Sequence, residues 1–157
     1  MTGTVLQVNV SRGGIPKQPV PSGDLTATGI EGDAWRYPFH GGPRQALLLI
    51  TIEGIEELVA QGFPLYAGAL GENLTTRGLD RRALRFGQRL RVGDATIQLT
   101  KMRQPCATLN VYGPGIQAQR RGKFFAGHPV CPKQKQLRIA PSQCRVHRCI
   151  TNEGATL

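Results

Sequence analysis

Between residues 5 and 101 the spacing of apolar positions changes several times, and each spacing predicts a different element. Val5, Val8 and Val10 stand in a β-branched run that the turn residues of 11–16 close, which predicts a first strand. Residues 16–33 are rich in Pro, Gly, Asp and Thr, and Val20, Leu25 and Ile30 lie too far apart for a helix, so extended loop or short edge strands fit. Residues 46–50 are an unbroken apolar run, the pattern of a strand buried on both faces, which predicts a strand over 45–51. Immediately after it, Ile52, Ile55, Leu58 and Val59 form a stripe opposite Glu53, Glu56 and Glu57. Thr51 is placed to cap and Gly62 to stop, which predicts an amphipathic helix over 52–61. Residues 65–70 can form a second short helical turn. Residues 85–90 and 95–101 read as two strands around a turn at 92–94. Many strands with one or two short helices predict a mainly β, barrel-like fold.

From about Tyr112 this patterning dissolves. Pro129, Pro132 and Pro141 interrupt every longer run, and only residues 136–139 alternate like a strand. Charge divides the chain at the same place. Residues 1–110 carry 12 Lys/Arg against 9 Asp/Glu, whereas 111–157 carry 8 against 1, so most of the net +10 lies in the last third. The expected organisation is therefore one domain over 1–118 and an atypical basic, poorly ordered tail over 119–157. Phe124 and Phe125 beside Arg120, Arg121 and Lys123 could stack on and pair with a single strand of nucleic acid. No binding motif surrounds them, and nucleic acid is not the expected partner.

The longest apolar run is far short of the ~20 residues a membrane-spanning helix needs. No basic, then apolar, leader is visible at the N-terminus, so a cytoplasmic protein without membrane attachment is expected. Four cysteines in such a chain read as thiols, ligands or a nucleophile rather than a disulfide framework. Cys131, Cys144, His147 and Cys149 could in principle make a Cys₃His zinc site, but basic residues beside cysteines in an irregular tail read more simply as an unstructured stretch. Cys106 follows Arg103 by three positions, and a guanidinium favours the thiolate, which is the nucleophile and the soft metal ligand; a small buried hydrophobe is the alternative. The loop 33–44 gathers His40, Arg36, Arg44, the only Trp and the pair Gly41-Gly42. Adjacent glycines let backbone N–H groups approach an anion that an arginine fork can pair; the alternative is a tight turn with a solvated Arg. Gly71-Glu72-Asn73-Leu74-Thr75 offers hydrogen-bonding side chains beside a permissive Gly, or is simply a polar connection.

Five motifs in order, 11–17, Gly32-Asp33, His40-Gly41-Gly42-Pro43, 71–75 and Arg103-Gln104-Pro105-Cys106, resemble the MOSC domain family, named for the C-terminal domain of molybdenum cofactor sulfurase, and within it the stand-alone YiiM-like branch. The resemblance implies a twisted β-barrel of the pyruvate-kinase-barrel type that holds a molybdopterin-type molybdenum cofactor; pyridoxal phosphate is a further family-level association. It implies Cys106 as molybdenum ligand and catalytic residue, Lys17, Arg44 and Arg103 at the cofactor phosphate, and His40, Asn73 and Thr75 as polar pocket positions. The implied reaction is reduction of N-hydroxylated bases or related compounds, with an electron-donor protein and a second copy of the chain as the partners it allows. The rival readings are a sulfurtransferase carrying a persulfide on Cys106 and acting on sulfur-containing compounds, and an inactive variant or basic binding module. After residue 118 the resemblance ends, which predicts a barrel without its usual closing strands and with an exposed edge.

Overall fold

The computed structural model describes residues 2–42, 44–102, 106–118, 124–129, 137–139 and 145–148. The chain opens with β1 (Thr2–Val10), followed by three short strands, β2 (Gln18–Val20), β3 (Gly23–Thr26) and β4 (Gly29–Ile30). Next come β5 (Leu47–Thr51), α1 (Ile52–Val59), β6 (Leu74–Arg77), β7 (Arg89–Val92) and β8 (Ala95–Met102). Three strands follow residue 118: β9 (Phe124–Pro129), β10 (Leu137–Ile139) and β11 (Arg145–Arg148). Short 3₁₀ turns occupy Pro38–His40, Arg81–Ala83 and Ala107–Tyr112. The architecture is mainly strands with few helices. No helix among the described residues is long and apolar enough to cross a membrane.

Eight strands form one sheet in the order β11-β7-β8-β9-β5-β6-β1-β2, with β11 also paired to β1, while β10, β3 and β4 form a second, small sheet. β5 and β6 are parallel, Leu49 opposite Leu74, because α1 carries the chain back between them. Thr51 ends β5 and caps the helix: its side-chain oxygen accepts from the Gly54 N–H at 3.2 Å. The helix stops two residues before the expected 61, and residues 66–71 close as hydrogen-bonded turns rather than a second helix.

The unbroken apolarity of 47–51 has a structural cause. Leu47 and Leu49 enter a core cluster with Val5, Val8, Leu74, Leu90, Ile97 and Val146, whereas Leu48 and Ile50 enter another with Ile55, Leu58, Leu70, Leu109 and Ile116. β5 therefore separates two cores, and neither face tolerates water.

Where an open edge was expected after residue 118, strand pairing is found. β9 lies between β5 and β8, with Phe125 registered opposite Leu49, and β11 pairs with β7 and β1, Val146 opposite Val92 and Gly3. Val146 is fully buried. These strands are only three to six residues long, and their partners lie tens of positions away, so local alternation carries little of the signal. The rest of the expected tail, with Cys131, Cys144 and Cys149, lies outside the described residues.

Candidate functional site

Three connections meet at one end of β5 and β6. The first is 11–17, leaving β1. Ser11 Oγ donates to the Gly14 carbonyl at 3.1 Å, and Gly13 and Gly14 both take positive φ, +122° and +98°, which a residue with a Cβ adopts only with strain. The second is 33–45. It is tied to the first through the Ala34 N–H on the Ser11 carbonyl at 2.7 Å and a parallel bridge between Arg12 and Ala34. The third is 68–73, whose Gly68 carbonyl receives the Lys17 N–H at 2.9 Å.

Buried polar side chains lock these loops together. Asp33 is the hinge of the set: Oδ1 accepts from the Ser11 N–H at 2.8 Å, and Oδ2 accepts from Asn73 Nδ2 at 2.8 Å and forms an ion pair with Lys17 Nζ. The Asp33 and Lys17 side chains are 3% and 8% exposed, so this is a buried pair whose partners hold each other and are further hydrogen-bonded. Asn73 also donates to the Asn9 carbonyl at 3.3 Å and accepts the Leu48 N–H at 3.1 Å, stitching β6 to β1 and β5. Behind it, Glu72 is fully buried. One carboxylate oxygen accepts from the Gly68 N–H at 2.6 Å and from Thr75 Oγ1 at 3.0 Å, and the other accepts from the Leu70 N–H at 3.2 Å. Burial raises its pKa above the ordinary 4.5, and these hydrogen bonds oppose the rise without cancelling it.

In front of this frame lies a pocket lined by both ends of the chain's motifs: Gly14, Ile15 and Lys17; Trp35, Arg36, His40 and Gln45; Leu48, Leu70, Gly71 and Asn73; and Cys106, Thr108 and Leu109. Cys106 is a half-buried free thiol at the start of the 107–112 turn. His40 stands edge-on to Tyr37, ring centroids 5.1 Å apart at 85°.

Of the residues expected at a site, Cys106, Lys17, His40 and Asn73 therefore share one pocket. Thr75 does not reach it; its hydroxyl donates to Glu72 and accepts from Asn9 Nδ2 at 3.2 Å, inside the frame. Arg44 is exposed and outside the lining, and Arg103 lies outside the described residues. The expectations for Lys17 and Asn73 gain a qualification of chemistry: the ammonium faces Asp33, and both ends of the Asn73 amide are engaged by protein groups. Asp33 and Glu72 stand in motifs legible in the sequence, though not as the groups that organise the others, whereas Asn9 stands in none, and its only signal is an amide set between Val8 and Val10. Among the described residues no group of three or more His, Cys, Asp or Glu could hold a metal ion by itself.

The MOSC domain family model matches residues 36–127. Protein YiiM of Escherichia coli (strain K12) is 38% identical over 93 residues, 56% of this chain and 42% of YiiM. YflK of Bacillus subtilis (strain 168), an uncharacterized protein, is 36% identical over 101 residues, 61% of this chain and 45% of its own. The matched stretches thus span less than half the length of these relatives. The crystal structure of YiiM from Escherichia coli superposes with a TM-score of 0.74 at 26% identity, over 95% of this chain and 70% of that one.

Proposed function

Because the chain belongs to the MOSC domain family, we propose that its pocket receives a molybdopterin-type molybdenum cofactor, with Cys106 as the thiolate ligand, and that the protein reduces N-hydroxylated bases or related compounds. The observation that carries this reading is the donor set. Cys106 is a free thiol facing the pocket, and no protein metal cage exists among the described residues. A single soft donor suits a soft metal that arrives with sulfur ligands of its own, and does not suit a bare ion. Gly14 also lines the pocket, and a Cβ built there would meet nothing nearer than Arg36 Cδ at 3.9 Å, so the turn leaves room for a group to approach the backbone. The return of the strand order through β11 to β1 is in keeping with the barrel of this reading.

Bound there, the cofactor supplies a two-electron redox centre, and the overall change is N–OH plus two electrons and two protons to N–H and water, the electrons coming from a donor protein. The chain's own residues bind and orient. Lys17 sets a cation at the pocket wall, fixed by Asp33; Arg36, which sits 5.7 Å from the Tyr37 ring centroid, offers a guanidinium fork for a phosphate at the mouth. The His40 imidazole can carry a proton to or from a bound molecule. Leu48, Leu70 and Leu109 keep water from the inner wall.

The test is metal analysis of protein made in a host competent for the cofactor. Wild type should carry close to stoichiometric molybdenum, and Cys106→Ser should lose it while its circular dichroism is unchanged, because a hydroxyl is similar in size but a poor soft ligand. Equal molybdenum in wild type and Cys106→Ser overturns the ligand assignment. A wild type without molybdenum but with a persulfide on Cys106 replaces the reading with sulfur transfer.

A further inference from the structure

We infer that Trp35 is a fixed platform on which a planar nitrogen heterocycle stacks inside the pocket, an inference that deepens the proposed function and rests on it only for the location of the reacting group. Trp35 lines the pocket and is 39% exposed, so part of its ring is open to a bound molecule. One side of the indole is packed on Gly41. A Cβ at that position would fall 1.9 Å from Trp35 Cε2 and 2.1 Å from Cδ2, so the ring lies against the bare backbone and only glycine permits it. Gly41 is itself held: its carbonyl accepts from Gln45 Nε2 at 2.9 Å, and the loop is closed on either side by His40 N–H to the Tyr37 carbonyl and Gln45 N–H to the Gly42 carbonyl, each at 3.0 Å. From the other direction, Ala34 anchors the loop to Ser11.

An aromatic face whose plane is set in advance gains stacking energy from a flat ligand without ordering cost of its own. A saturated or branched ligand forfeits that contact. His40, Arg36 and Gln45 line the same pocket and carry hydrogen-bonding groups of the kind that ring nitrogens and exocyclic substituents engage. Two sources of such a ring fit the same chemistry: the pterin of the cofactor and the base of a substrate.

Trp35 is the only tryptophan in the chain, so its fluorescence reports on this face alone. The experiment titrates adenine, with piperazine as the saturated control, into the full chain, in apoprotein and in cofactor-loaded protein whose molybdenum content is measured on the same sample. Adenine should quench Trp35 saturably and piperazine should not. Quenching in both forms assigns the platform to the substrate ring; quenching in apoprotein alone assigns it to the pterin. By calorimetry, Trp35→Phe should bind adenine nearly as well as wild type, and Trp35→Ala about ten- to hundred-fold more weakly. Gly41→Ala, which keeps the indole but displaces it, should weaken binding too. Cys106→Ser should quench like wild-type apoprotein, which separates this inference from the metal assignment. Absence of saturable quenching by adenine and by cofactor loading, or Trp35→Ala binding adenine as tightly as wild type, overturns it.

Discussion

Asn73 Nδ2 and Asp33 Oδ2 meet at 2.8 Å across 40 positions of sequence, and the oxygen they share is the one that faces Lys17. One carboxylate thus joins three loops. Asp33→Ala leaves a buried ammonium and an amide without their acceptor, and should destabilise the fold by about 3–5 kcal/mol, read as a lower denaturant midpoint. Asp33→Asn keeps an acceptor but not the charge, so it should fall between wild type and Asp33→Ala.

Glu72 makes a prediction about pH. Its folded pKa is raised by burial, so between the ordinary 4.5 and the raised native value the folded state holds a proton that the unfolded chain has released. Stability from this position is therefore greatest below 4.5 and declines as pH rises to the native value, levelling off above it. Urea denaturation of wild type and Glu72→Gln across that window should show wild type losing ground steadily to the variant with rising pH. A constant difference between the two would mean that Glu72 titrates normally.

Gly68 lies at φ +94°, and an added Cβ would come within 2.3 Å of the Lys17 carbonyl oxygen. Gly68→Ala must then strain the backbone or part the loop from Lys17, whose N–H bonds the Gly68 carbonyl. A loss of roughly 1–3 kcal/mol is expected by thermal or chemical denaturation, with Lys17 displaced from the pocket wall.

Val146 is fully buried in β11, between Gly3 of β1 and Val92 of β7. Val146→Asp should abolish cooperative unfolding, since the charge has no partner there, whereas Val146→Ala should cost on the order of 1–3 kcal/mol. Near wild-type behaviour of both variants would detach β11 from the folded core.

Much of the frame is legible in the chain because it is written in local periodicity. β5 shows as unbroken apolarity, α1 as a stripe with its Thr51 cap, and β8 as the run after Gly93-Asp94, whereas the strand expected over 85–90 is found at Arg89–Val92, displaced toward the turn. What does not show is long-range. β9 and β11 depend on partners far along the chain, and nothing in Phe124–Pro129 says that Leu49 lies opposite. The site divides in the same way. Cys106, His40, Lys17, Asp33, Glu72 and Asn73 all stand in recognisable motifs, but the roles of Asp33, Asn73 and Glu72 in locking the loops together arise only when β1, β5 and β6 are side by side.

The insertion of β9 between β5 and β8 reaches beyond the folded state. Both neighbours precede β9 in synthesis, and β8 meets the rest of the sheet on that side only through it. A nascent chain that has emerged as far as residue 118 can pair β5 with β6 and β7 with β8, but it cannot join the two halves. Translation therefore carries an apolar strand, Leu47–Thr51, whose edge toward β9 stays unpaired until Phe124–Pro129 leaves the ribosome, and an apolar edge of that kind is open to association with other chains.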